Sequence, residues 1–318
     1  MSISQRQVRF PLQSNTLDLT QKREADNMVK LKKISGLIEK SMNLLFTVCG
    51  FIAVAFVLII TIFLIISGTP AIGRIGLTDF IFGTKWASTA AEPSYGIMPF
   101  ILTSIYGTFG AILIGVPLGI LCAVFLARIA GKRTASFVSG AVSLMSGIPS
   151  VVYGLVGMII IVPAVREFFG LPDGANLFSA VLVLAVMILP SVISVSETAL
   201  RAVPKEYEEA SLALGATKTE TIFKVILPAA KSGILASVVL GTGRAIGEAM
   251  AVMMVAGNVA NMPGLFRSVR FLTTAVASEM SYSSGLQRQA LFSVALVLFV
   301  FILGINLILN FVVKKKRK

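Results

Sequence analysis

The chain has 318 residues, of which 56% are hydrophobic and 14% charged, with a mean hydropathy of +0.88 and a net charge of +13. Soluble domains are about 25% charged, so this composition excludes an ordinary water-soluble fold, and its continuous, non-alternating apolar runs exclude a β-barrel. Histidine is absent, which excludes a histidine-based metal centre or catalytic triad, and the two cysteines, Cys49 and Cys122, sit inside apolar runs as small hydrophobes with no metal-ligand spacing.

The expected fold class is an all-α polytopic membrane protein, since a bilayer needs about 20 apolar residues per helix and six such runs follow in order. Residues 1–40 form a basic leader with Arg6, Arg9, Lys22, Arg23, Lys30, Lys32, Lys33 and Lys40. Its polar content fits either weak order or a surface helix. The first span, 41–73, is too long for a cleaved signal and reads as retained. A loop, 74–94, precedes a core, 95–313. There the charge-free runs are 93–127, 134–165, 174–196 and 289–313, and a further run, 232–257, is interrupted only by Arg244 and Glu248. Trp86 and Tyr95, in and beside the loop that also carries Asp79 and Glu92, read as an interface belt. A basic tail, 314–318, closes the chain.

Lysine and arginine set orientation. Besides the eight in the leader, three lie in 128–133, five in 201–231 and five in the tail, against six in the alternate loops. This places both termini in the cytoplasm. The clustering of cations beside apolar runs also argues for lipid rather than nucleic acid as their partner.

The cytoplasmic segment 204–228 is the least membrane-like part of the core. Pro204 suits a helix start. Tyr207, Ala210, Ser211 and Leu214 share one helical face. Gly215 then stands where a helix end favours positive φ, and Thr217-Lys218-Thr219-Glu220 is a capping-box pattern that opens a second helix, interrupted by Pro228. The expected shape is helix, glycine corner, helix. Amphipathicity alone leaves open whether it lies in the membrane interface or docks a partner.

Arg244 and Glu248, four apart in an apolar run, are expected to share a helix face. A charge at the bilayer centre costs roughly 3 kcal/mol or more, so such residues pair or line a cavity. Both an internal ion pair and a charged pathway satisfy that. Glu197 and Arg201 repeat the spacing at a span end and read as a helix-end pair. No G-x-x-x-x-G-K-[ST] phosphate loop is present: at the nearest look-alike, around Gly131 and Lys132, Leu126 and Arg133 occupy the places of the first glycine and the hydroxyl residue.

Glu209-Ala210-Ser211, Gly215 and Leu227-Pro228 resemble the Glu-Ala-Ala loop of bacterial ABC-importer permeases, with Ser211 for the second alanine and Val225 for an isoleucine. Further stretches, YGIMPFILTSIYGTFGAILIGVPLG (95–119), SGIPSVVYGLVG (146–157), ILPSVISVSETALRAVP (188–204) and GRAIGEAMAV (243–252), are similar to permease subunits of bacterial phosphate importers over roughly 44–313. The 95–100 entry and GNVANMPGLF (257–266) favour one of that importer's two permeases over its PstA-like sister. The resemblance implies a type I ABC importer permease fold of six transmembrane helices in the bacterial inner membrane. It implies that Glu209, Ala210, Ser211, Gly215, Leu227 and Pro228 couple to a cytoplasmic ATP-binding subunit dimer, and that Arg244 and Glu248 line the path for inorganic phosphate. The implied partners are a PstA-like permease, that ATPase, which uses ATP and Mg, and a periplasmic or lipid-anchored phosphate-binding protein. The chain itself is expected to hold no cofactor or metal and to catalyse nothing. Sulfate or molybdate as cargo, a polytopic membrane enzyme and a channel remain the alternatives.

Overall fold

The computed structural model of the chain describes residues 13–315, with side chains for 39–308 and Phe311. The leader cations up to Lys33 and those of the tail lie outside the described side chains. The chain divides into two compact units, Met1–Ile62 and Phe63–Lys318. In the first, the described residues belong to α1 (Gln13–Ile75), whose apolar side chains from Leu44 to Ile60 stand exposed, as on a lipid-facing helix.

The second unit continues with α2 (Leu77–Phe82) and a two-stranded ribbon, β1 (Trp86–Ala87) against β2 (Ser94–Tyr95). Next come α3 (Met98–Ile129), α4 (Lys132–Gly147), α5 (Ser150–Phe169) and α6 (Leu177–Arg201). After α7 (Lys205–Ala213) follow α8 (Lys218–Ala229), α9 (Lys231–Gly247), α10 (Met250–Val255), α11 (Leu272–Glu279) and α12 (Gly285–Lys315). Among the described residues, five helices, Glu39–Ile75, Met98–Ile129, Ser150–Phe169, Leu177–Arg201 and Gly285–Ile308, are long and apolar enough to cross a membrane. A sixth span forms if α8 and α9, bent by 70°, count together.

Helix α6 is the axis of the bundle: Ala180, Leu184, Ile188, Val192 and Leu200 are fully buried. Helix α3 runs parallel to it, at a separation set by small residues. A methyl group at Gly110, Gly115 or Gly119 would stand 2.9, 2.7 or 2.7 Å from Val181, Ile188 or Val192. Helix α9 runs antiparallel to α6, and Ser196 and Ser237 share a buried hydrogen bond of 2.8 Å between them. Between lipid-soluble helices there is no hydrophobic drive, so close packing of small residues and such polar contacts hold the bundle.

Two expected spans are broken. The 134–165 run is two helices, because Pro149 has no N–H and forces Ile148 out of the helical region (ψ 128). The 232–257 run ends at Gly247, and Glu248 is extended (φ −74, ψ 128). Gly243 and Gly247 weaken the helix there, and the Glu248 carboxylate instead accepts the Ala251 N–H at 2.9 Å, restarting the chain as α10. Gly154 of α5 packs directly on the Ala251 backbone, and Gly157 on Val255. Helices α5 and α10 therefore lie side by side and parallel, and the two breaks adjoin.

Proline alone does not stop α8. It widens into a π-turn at Ile222–Ile226, runs through Pro228 and bends only at Ala230. The π-turn at Gly157–Ile161 precedes Pro163 in the same way. Shifting the ladder to i→i+5 just before the ring relieves its clash with the preceding turn.

Trp86 and Tyr95 do not form an interface belt. Both are buried, edge to face at 5.5 Å. Trp86 Nε1 donates to Glu279 at 3.2 Å, and the same carboxylate receives Gln287 Nε2 at 3.2 Å and an ion pair from Arg270. Arg270 Nε in turn donates to the Asn258 carbonyl at 2.9 Å. This hub ties the ribbon to α11 and α12.

Candidate coupling segment and translocation site

Helix α7 ends at a corner built from backbone bonds. Gly215 takes φ +87, its N–H donates to the Leu212 carbonyl at 3.0 Å, and the Ala216 N–H donates to the Ser211 carbonyl at 3.2 Å. This is the paired closure that a left-handed residue allows at a helix end. Thr217 then caps α8: its Oγ1 accepts the Glu220 N–H at 3.3 Å, and Glu220 Oε2 accepts the Thr217 N–H at 3.1 Å. Lys224 adds an ion pair to Glu220 at 3.0 Å.

Ser211, the departure from alanine in the motif, is explained here: its Oγ bonds Thr221 Oγ1 at 2.9 Å, tying α7 to α8 across the corner. No residue of α7 is buried. Glu209 and Ala210 are exposed, and the corner carries bare apolar side chains, Tyr207 at 53% and Leu214 at 89% exposure. Leu227 is half-buried and Pro228 exposed, inside α8 rather than at its end.

Arg244 and Glu248 are not brought together as a pair. Arg244 is in the last turn of α9, half-buried, and its Nη1 donates to Ser191 Oγ on α6 at 3.3 Å. Glu248 lies beyond the helix end, with its carboxylate turned to the Ala251 N–H and its carbonyl accepting Thr273 Oγ1 at 2.8 Å. The expectation of one continuous helix face fails for that reason. Ser191 is about 15 Å along α6 from Arg201 and about 21 Å from Leu177, at 1.5 Å per residue. In a hydrocarbon layer of about 30 Å, Arg244 and the adjoining breaks therefore sit near mid-depth.

Glu197 and Arg201 do pair, at 2.9 Å, with Ser139 Oγ also on Glu197 at 3.3 Å. Sequence reasoning missed Arg128, which enters only as a loop cation. It is 11% exposed and pairs with Glu208 of α7 at 3.0 Å. Its one sequence signal is its position, a cation placed before the loop at the end of a long apolar run.

The family described as "binding-protein-dependent transport system inner membrane component" matches residues 115–318. The chain belongs to this family. The permease is 36% identical to the probable ABC transporter permease protein YqgH of Bacillus subtilis, across 87% of this chain and 91% of that one. It is 34% identical to the phosphate transport system permease protein PstC of Pasteurella multocida, across 75% and 81% of the two chains. Among solved structures, its fold is similar to a bacterial ABC transporter involved in the import of alginate, with TM-score 0.55, 14% identity and 74% and 89% of the chains covered. It is likewise similar to the MetNI methionine transporter, with TM-score 0.52, 22% identity and 70% and 94% covered. The permease thus has the type I ABC importer fold and is a multi-pass membrane transport subunit.

Proposed function

We propose that this permease forms the path for inorganic phosphate in an ATP-driven importer, paired with a PstA-like second permease. What carries the reading is the similarity to phosphate transport permeases over most of the chain, at 34% identity for the two first such relatives. The energy comes from a cytoplasmic ATPase dimer that uses ATP and Mg, and phosphate arrives from a periplasmic or lipid-anchored binding protein. The exposed corner at 205–221, with Leu214 and Tyr207 bare, fits a cleft on that ATPase. Both termini and the corner then lie in the cytoplasm, with Glu209, Ala210, Ser211 and Gly215 at the contact and Leu227 and Pro228 on the arm leading to the next span.

Arg244 meets the anion in this scheme. It stands near mid-depth, where a charge is stabilised only by a partner or water, and its hydrogen bond among the described residues is a long one to Ser191. Its remaining donors suit the oxygens of a tetrahedral anion. Glu248, at the break beside it, lines the same path, with its carboxylate held by the Ala251 N–H rather than by Arg244.

The test is uptake by the complete complex in proteoliposomes, with radiolabelled phosphate, sulfate and molybdate compared. Phosphate uptake that needs both ATP and the binding protein is the expected result. Uptake of sulfate or molybdate instead would replace the cargo, and absence of any ATP-dependent uptake would overturn the importer reading.

A further inference from the structure

We propose that Arg128 is a positioning residue which, with Glu208, clasps α7 to the ends of the two central spans so that they move as one body. The proposal rests on the coupling role given to 205–228 above. Three observations carry it. The Arg128 guanidinium reaches three groups on two elements: Nη1 meets Glu208 Oε2 of α7 at 3.0 Å, and Nη2 meets the carbonyls of Leu200 at 2.6 Å and Val203 at 3.4 Å. Those carbonyls belong to the end of α6 and the turn after it, where the Leu200 carbonyl receives a long backbone bond of 3.4 Å from the Val203 N–H beyond the helix end and a cation is favoured. Only a planar fork of several donors spans a carboxylate and a helix end at once.

The second observation is that the contact is reciprocal. Arg201, at the end of α6, donates through Nη2 to the Leu126 carbonyl of α3 at 2.9 Å. That carbonyl is free because α3 closes with a π-turn at Phe125–Ile129, in which the Ala130 N–H bonds Phe125 at 2.8 Å rather than Leu126. The two arginines thus cross, each binding the other helix's open backbone. The third observation is burial. Arg128 is 11% exposed and Glu208 37%, and the Arg128 Nε is buried with no partner among the described residues. A buried cation with an orphaned donor is a poor solution for stability alone. It is intelligible if the guanidinium is held where it must grip both α7 and α6.

Two covalent routes lead from the docking segment to the spans: residues 202–204 join α7 directly to α6, and the corner leads through α8 and its 70° bend to α9. Neither leads directly to α3. Movement of α7 against the Arg128 fork therefore acts on α3 through the clasp, which also holds α3 to the end of α6.

The experiment uses the complete complex in nanodiscs, with spin labels on α7 and on the Ile129 end of α3 in a background lacking Cys49 and Cys122. The wild type is expected to give one narrow label distance that is the same with and without ATP. Arg128→Gln and Glu208→Gln are expected to broaden it, and Arg128→Lys to do so less. Uptake per ATP hydrolysed should fall by about fivefold in the two Gln variants, within the range that residues along a coupling network command, while the ATPase still co-purifies. Glu208→Gln is the variant that guards against misfolding, since it leaves Arg128 on its two carbonyls. An unchanged distance and unchanged uptake per ATP in both Gln variants would overturn the clasp. A broad distance in the wild type would overturn it too. A narrow wild-type distance that the variants broaden, in a complex that carries no phosphate, would support the clasp and remove the phosphate reading instead.

Discussion

Gly215 gives a test whose size follows from the structure. A methyl group added there would meet nothing within 4 Å, so substitution carries no steric cost against neighbours. The whole cost lies in φ +87. An L-residue in the left-handed region is disfavoured by about 1–2 kcal/mol, and asparagine tolerates that region better than alanine. Relaxing to negative φ would release both the Gly215 and Ala216 backbone bonds and turn the capped start of α8 away from α7. If the ATPase docks only on the closed corner, a penalty of about 1–2 kcal/mol weakens its apparent affinity by about five- to thirtyfold. Titrating the ATP-binding subunit against the purified permease pair should give the order glycine, asparagine, alanine, valine, from tightest to weakest. Gly140→Ala serves as the control, because that site is helical with open space around it and no positive φ. Alanine and asparagine variants both within twofold of the parent, or alanine binding better than asparagine, would refute the argument.

Arg244→Lys should reduce phosphate uptake and Arg244→Gln should reduce it further. Because Glu248 is not paired with Arg244, the double change Arg244→Gln with Glu248→Gln should not rescue uptake at matched membrane levels; near-normal uptake would mean a structural pair after all. Gly154→Ala places a methyl 2.8 Å from the Ala251 Cα and 2.9 Å from Met254 Sδ. Overpacking of this kind costs about 1–3 kcal/mol, which should lower the thermal midpoint of the detergent-purified complex, whereas Gly140→Ala should leave it in place. For topology, a reporter active only in the cytoplasm should work after Lys318 and within 128–133, and one active only outside should work within 74–92. Outside activity at the C-terminus would contradict an even number of spans.

What the sequence made legible was local chemistry. The corner at 214–217 is written in adjacent residues: a glycine free to take positive φ, then Thr217 and Glu220 at capping distance. Apolar runs likewise announced the spans. Hydropathy is blind to a break inside an apolar run, however, and the interruption at 247–249 has no proline to flag it. The restart at Ala251 depends on a carboxylate that, by charge alone, looked like a partner for Arg244. Long-range partners were also hidden. Arg128 finds Glu208 across 80 positions, and Trp86 finds Glu279 across 193. No spacing rule connects residues so far apart, so a buried tryptophan read as a lipid anchor and a gripping arginine as a topological charge.

The adjoining breaks before α5 and α10 bear on how the subunit is made. Gly147, Pro149 and Gly247 are exposed on the isolated chain, and open backbone near mid-depth is tolerated only against protein or water. If the second permease of the proposed importer covers that face, a copy without it leaves both breaks facing lipid, and its lifetime in the membrane should depend on how soon the two subunits pair. Membrane proteases would then clear orphans, and the amount of each permease would track the other without any need for matched synthesis.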